Sequence, residues 1–246
     1  MIRNIQLRRK IRNLVWWPVH LIYLMFAGRR KKVFCLSMQR TGTTSVGEFL
    51  KDQGYRVARE SDGVLYSWSY HWQKGNYDKI FHSLAFKAFT AYEDAPWWFP
   101  GFYKEVHRRF PDAKFILLYR DVDQWFDSMI KLKGGKTPGN TRRHCMIYDR
   151  MNEFNERLRS DPSFKPSDNE KDELMSMNGM RDHYTGVYKK HIEDVIRYFE
   201  KNAPEALITL DLNDPEKWLK IGTFLGTSVP VGYDVHANRS EDIMKR

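Results

Sequence analysis

The apolar run Lys32-Val-Phe-Cys-Leu-Ser37 gives way, past one methionine, to Gln39-Arg-Thr-Gly-Thr-Thr-Ser45, and an amphipathic stretch follows at once. So short a run of β-branched and aromatic residues predicts a buried strand. From Thr43 to about Gln53, Val46, Phe49 and Leu50 recur at helical spacing, and Gly54 suits the left-handed residue just past a helix end. Strand, glycine-containing loop and helix in this order open a nucleotide-binding βα unit. An anion at the helix start would meet backbone N–H groups and the positive end of the helix dipole. Gly42 permits close backbone approach, Thr43, Thr44 and Ser45 add hydroxyls, and Arg40 supplies positive charge. An ordinary helix cap could have the same composition. The loop lacks the G-x-x-x-x-G-K-[ST] pattern, with one glycine and no lysine before its hydroxyl residues, which argues against magnesium-dependent phosphoryl transfer.

Further along, Ala85 to Tyr92 reads as a strand, then Asp94-Ala-Pro-Trp-Trp and a helix near Phe102 to Arg109. Lys114-Phe-Ile-Leu-Leu-Tyr119 is the clearest strand, and a helix from about Val122 to Leu132 follows it. Lys133 to Thr141 is rich in glycine and reads as a loop, and the polar stretch Ser160 to Asp172 as a surface excursion. Tyr184, Val187, Tyr188, Ile192, Val195, Ile196 and Phe199 line one helical face. Ala206 to Asp211 gives another strand and Asp214 to Leu225 another helix. Strands alternating with helices predict an α/β three-layer sandwich with a central parallel sheet. Two cysteines, Cys35 and Cys145, have no metal-ligand spacing and make no disulfide scaffold.

Charge divides the chain at its start. No acidic residue precedes Glu48, whereas ten basic ones do: Arg3, Arg8, Arg9, Lys10, Arg12, Arg29, Arg30, Lys31, Lys32 and Arg40. The 41 basic residues of the chain less these ten equal its 31 acidic ones, so a diffuse basic face for nucleic acid has little support. Residues 1–31 therefore separate from a catalytic region, 32–246. The apolar stretch Leu14 to Gly28 would be roughly 22 Å long as a helix, short of the roughly 30 Å hydrocarbon core. With Trp16, Trp17 and Tyr23 inside and basic clusters at both ends, it reads as an interfacial anchor on an anionic membrane surface. A helix packed on the protein's own surface or in a dimer contact, and a spanning anchor, are the alternatives. The chain is otherwise expected to be cytoplasmic.

Gln39-Arg40-Thr41-Gly42-Thr43-Thr44-Ser45 resembles the 5′-phosphosulfate loop of sulfotransferases that use 3′-phosphoadenosine 5′-phosphosulfate (PAPS), whose cytosolic members carry a P-K-S-G-T-T-W type loop. Arg40 stands for the lysine and Ser45 for the tryptophan. The family's 3′-phosphate site is an Arg ending a central strand and a Ser eight residues later, matched by Arg120 and Ser128. The resemblance, to the R-T-G-T branch, spans roughly Lys32 to Thr227. It implies a sulfotransferase- or nucleotide-kinase-like fold and in-line sulfuryl transfer to a hydroxyl or amine, with Arg40 stabilising the developing charge and no metal. Cytosolic members have a His-x-Pro base where this chain has Asp94-Ala95-Pro96, so Asp94, with Glu93 beside it, is the expected base; Asp94 as a helix cap is the plainer reading. Arg239 is a further candidate for the 3′-phosphate. The acceptor, whether small molecule, lipid or carbohydrate, stays open, as do the oligomeric state and the adenine contact. A metal-dependent nucleotide kinase and a non-catalytic binding protein on the same scaffold are the rival functions.

Overall fold

The computed structural model describes residues 18–22, 31–137, 140–166 and 174–237. The chain divides into two compact units, one made of residues 1–118 and 203–246, the other of residues 119–202.

The first unit holds a five-stranded parallel sheet in the order β2-β3-β1-β4-β5. Its strands are β1 (Val33–Cys35), β2 (Val57–Ala58), β3 (Ala91–Tyr92), β4 (Lys114–Tyr119) and β5 (Leu207–Asp211). Strand β1 is central, pairing with β3 through Val33 opposite Ala91 and with β4 through Cys35 opposite Ile116. Period-two alternation sends successive side chains to opposite faces. Val33, Cys35, Ala91, Ile116 and Leu118 bury one face against Val46, Phe49 and Leu50 of helix α1 (Thr43–Asp52), with Trp218 and Ile221 of a later helix in the same cluster. Phe34, Tyr92 and Phe115 face the other way: Phe34 stacks on Tyr92 with ring centroids 4.6 Å apart and meets Phe86, Trp97, Phe110 and Phe115. Aromatic packing of this kind is among the strongest sources of core stability per side chain. Trp68, Trp72, Trp97 and Trp98 are all buried in this unit, so their bulk goes to packing.

Helices α2 (Glu60–Leu65), α3 (Trp68–Gln73), α4 (Tyr77–Phe81), α5 (Leu84–Ala88) and α6 (Phe102–Arg109) lie between β2 and β4 in the chain. The strand expected over Ala85 to Tyr92 is thus a helix followed by a two-residue strand. Ser83 caps that helix, its Oγ accepting the Phe86 N–H at 3.2 Å, and Ala85, Phe86 and Ala88 turn inward together. The N-cap and helical spacing prevail over the β character of the apolar residues.

The described part of the N-terminal segment, a helical turn at 18–22, is docked on this unit by His20. The buried imidazole accepts from Arg56 Nη2 at Nδ1 (2.8 Å), which leaves Nε2 to donate to the Tyr66 hydroxyl (2.8 Å). Burial and the Arg56 charge lower its pKa and hold it neutral. Leu21 and Ile22 remain exposed beside it. No described helix is long and apolar enough to cross a membrane. Both cysteines are buried and free.

The second unit contains α7 (Val122–Lys133), α8 (Thr141–Ile147), α9 (Met151–Ser160) and α10 (Arg181–Asn202). Asp121 caps α7 by accepting the Gln124 N–H at 2.9 Å. Buried Arg150 ties three elements together, donating to Glu153, to the Ser176 carbonyl and to the Tyr184 hydroxyl. His144 bonds the same hydroxyl at 2.7 Å, and burial, helped by Arg150, depresses its pKa to about 3, so it is a neutral core histidine. Helix α11 (Lys217–Leu225) belongs to the first unit.

Candidate active site

Strand β1 stops at Cys35, and the chain from there to α1 is held by its own hydrogen bonds. The Ser37 hydroxyl accepts the Leu118 N–H at 2.7 Å, fixing the loop to the end of β4, and Thr41 Oγ1 donates to the Met38 carbonyl. Gln39, Arg40, Gly42 and Thr44 are half-buried, whereas Thr41, Thr43 and Ser45 are buried. Gly42 is the N-cap of α1, in the left-handed region at φ 83°, and no side chain caps the helix. A Cβ on Gly42 would lie 2.6 Å from Leu212 Cδ1, so this position combines a strained φ with restricted space. A helix start without a side-chain cap, opening from a glycine, fits an anionic group.

The Ser45 Oγ accepts the Ala237 N–H at 3.0 Å, which ties the C-terminal chain to the loop and leaves the hydroxyl its own O–H to donate. Arg239 lies outside the described residues.

Arg40 also has positive φ, at 70°, and Asp94 does at 62°. Non-glycine residues in this region carry a conformational cost and gather at functional positions. The two follow adjacent parallel strands: Phe34 is opposite Tyr92, so the register carries Glu93 and Asp94 off β3 alongside the chain leaving β1. Glu93 continues the face of Ala91, toward α1, and its carboxylate sits over Gly47. A Cβ there would come within 1.9 Å of Glu93 Oε2, so only glycine on α1 leaves room for this side chain. Glu93 is 5% exposed, and its Oε2 is buried without a hydrogen-bond partner. Burial, reinforced by Asp94, Glu48 and Glu60 against the opposing charge of Arg59, raises its pKa from 4.5 to about 8.

Asp94 has a more settled environment. Its Oδ1 accepts from the Ala95 N–H at 2.7 Å and from Trp98 Nε1 at 3.3 Å, while its carbonyl accepts the Trp97 N–H. Burial raises its pKa too, with both donors opposing the rise. It organises the turn that contains the cis Ala95–Pro96 peptide. The helix downstream is capped by Gly101, so Asp94 caps a turn and not that helix.

Arg120 and Ser128 belong to the second unit. Arg120 follows the last residue of β4, and its Nη2 donates to Gln124 Oε1 at 3.0 Å. Gln124 and Ser128 are one helical turn apart on α7, so the guanidinium lies toward the face that carries Ser128. Both Arg120 and Ser128 are half-buried. Three histidines of the first unit lie on its helices: His71 meets Tyr70 edge-on within α3, His107 packs edge-on against Phe115, and His82 is exposed at the end of α4. Among the described residues no group of three or more His, Cys, Asp or Glu is arranged to hold a metal ion.

A loop that opens on Gly42 follows the central strand, and carboxylates follow its parallel neighbour, at the strand ends where open sheets of this kind bind their ligands. A family model described as a sulfotransferase domain matches residues 32–243, and the chain belongs to that family. No curated protein matches it. Gln124 and Tyr188, which bond to Arg120, and Gly47, which makes room for Glu93, escaped the sequence reading. The i, i+4 spacing of Arg120 and Gln124 was a usable signal for one of them.

Proposed function

We propose that the protein transfers the sulfuryl group of PAPS to a hydroxyl or amine acceptor. The observation that carries this reading is the Gly42 helix start together with Glu93 at the neighbouring strand end, a buried carboxylate seated over Gly47 of the same helix with its Oε2 lacking a hydrogen-bond partner. The loop's N–H groups and Arg40 take the 5′-phosphosulfate, and Arg120 with Ser128 takes the 3′-phosphate. The acceptor oxygen or nitrogen forms a bond to sulfur as the bond from sulfur to the bridging oxygen breaks. That electron pair leaves on the 5′-phosphate of 3′-phosphoadenosine 5′-phosphate (PAP), where Arg40 offsets the growing charge.

The acceptor's proton goes to Glu93. A carboxylate in water is too weak a base for an alcohol, but one whose pKa is lifted to about 8 is matched to neutral pH. Asp94, already engaged by the Ala95 and Trp98 N–H groups, holds the turn and keeps Glu93 basic through its adjacent charge. Titration calorimetry with PAP and ATP tests the nucleotide assignment: PAP is expected to bind more tightly, and a preference for ATP would overturn it.

The N-terminal segment is proposed to hold the enzyme peripherally on anionic membrane. Nine basic residues between Arg3 and Lys32, together with exposed Leu21 and Ile22, support this, and the His20 contacts join the segment to the body.

A further inference from the structure

We propose that Tyr188 and Gln124 are positioning residues for the 3′-phosphate, acting through Arg120; this rests on the reading of Arg120 given above. Arg120 stands one residue past the end of β4. Tyr188, on α10, bonds to both of its peptide groups through one oxygen. Its hydroxyl accepts the Arg120 N–H at 2.9 Å and lies 3.3 Å from the Arg120 carbonyl, to which it donates. A hydroxyl can accept from one peptide group and donate to the other through the same oxygen, which a phenylalanine ring cannot.

The phenol is itself fixed. Tyr188 is 2% exposed, and its ring stacks on fully buried Trp125 of α7 with centroids 4.4 Å apart and planes within 14°. Trp125 is the residue after Gln124, which receives the Arg120 guanidinium at 3.0 Å. One end of Arg120 is therefore held by Tyr188 and the other by Gln124, and the two holders are joined through the Trp125 stack. An arginine fixed at both ends loses less freedom when it meets a phosphate, which is how preorganisation raises affinity.

Removing the hydroxyl while keeping the ring, Tyr188→Phe, leaves the stack in place and takes the two Tyr188 contacts away from the Arg120 peptide. Calorimetry with PAP and with adenosine 5′-phosphate, which lacks the 3′-phosphate, reads the effect. The expected outcome is an affinity loss of about tenfold for PAP, corresponding to one charge-assisted contact weakened, with adenosine 5′-phosphate unchanged. In an Arg120→Ala background the same substitution is expected to change nothing further for PAP. Equal losses for both nucleotides, or an undiminished effect without Arg120, would overturn the inference. If the unsubstituted protein itself fails to prefer PAP, the reading of Arg120 fails instead. Should Tyr188→Phe not fold, Gln124→Leu carries the test from the other end, and unaltered discrimination there overturns the proposal.

Discussion

Glu93→Gln removes an ionisable proton and almost no volume, and it is expected to make the protein more stable while making it nearly inactive. In the folded chain the carboxyl keeps its proton up to pH about 8, whereas its ordinary pKa is 4.5. Between these values the folded protein holds a proton that the unfolded chain has released, so stability falls as pH rises. The loss is absent below pH 4.5 and complete above about 8. At about 1.4 kcal/mol per pH unit the whole window amounts to roughly 5 kcal/mol, of which about 3 kcal/mol is already lost at pH 7. Glutamine has no proton to lose there, so the Glu93→Gln protein should lack this slope and exceed the unsubstituted enzyme most at pH 8 and above. Urea unfolding of both proteins from pH 5 to 8.5 measures the difference. Turnover, in contrast, should fall by about 10²–10⁴-fold with PAP affinity retained. In the unsubstituted enzyme kcat/KM should climb with pH and level off above about 8. Parallel stability curves for the two proteins would refute the burial argument, and full activity in Glu93→Gln would move the proton to Asp94 or to no protein group.

Other substitutions probe the same geometry from different sides. Gly47→Ala should gain about 1 kcal/mol of helix propensity, yet lower turnover, because the new methyl displaces the Glu93 carboxylate; unchanged kcat would show that the seat is not needed. Gly42→Ala should cost about 1–2 kcal/mol for its left-handed backbone and weaken PAP binding, both measurable by thermal unfolding and calorimetry. Arg40→Ala should reduce kcat as well as affinity, because its charge acts where charge develops; an effect on affinity alone would confine it to ground-state binding. Full-length protein should float with anionic liposomes at low salt and be released at high salt, since surface attraction is screened; indifference to such liposomes would remove the membrane placement.

Much of the fold could be read from local sequence because its signals are contiguous. The strand ending at Cys35, its loop and α1 sit within about twenty residues, and Lys114 to Tyr119 is an uninterrupted apolar strand between a helix and a capped helix start. The stretch from Val57 to Ala88 resisted, because helices of five or six residues are shorter than the window over which periodicity declares itself. Residue types and order named the candidates Arg40, Gly42, Glu93, Asp94, Arg120 and Ser128. The different surroundings of the two carboxylates were not legible: they depend on Gly47 in one element leaving space for Glu93 from another, and on donors from Ala95 and Trp98 reaching Asp94. The Ser45 contact was hidden for the same reason, since its partner Ala237 is almost two hundred residues further along the chain.

The most direct test of the account follows sulfur itself. Purified protein is incubated with PAPS labelled in the sulfuryl group and a library of hydroxyl and amine acceptors, and labelled products and PAP are quantified together. The account predicts one labelled acceptor molecule for each PAP formed, with both yields collapsing together in Glu93→Gln and in Arg40→Ala. Release of label only as inorganic sulfate, or transfer that survives both substitutions, would contradict it.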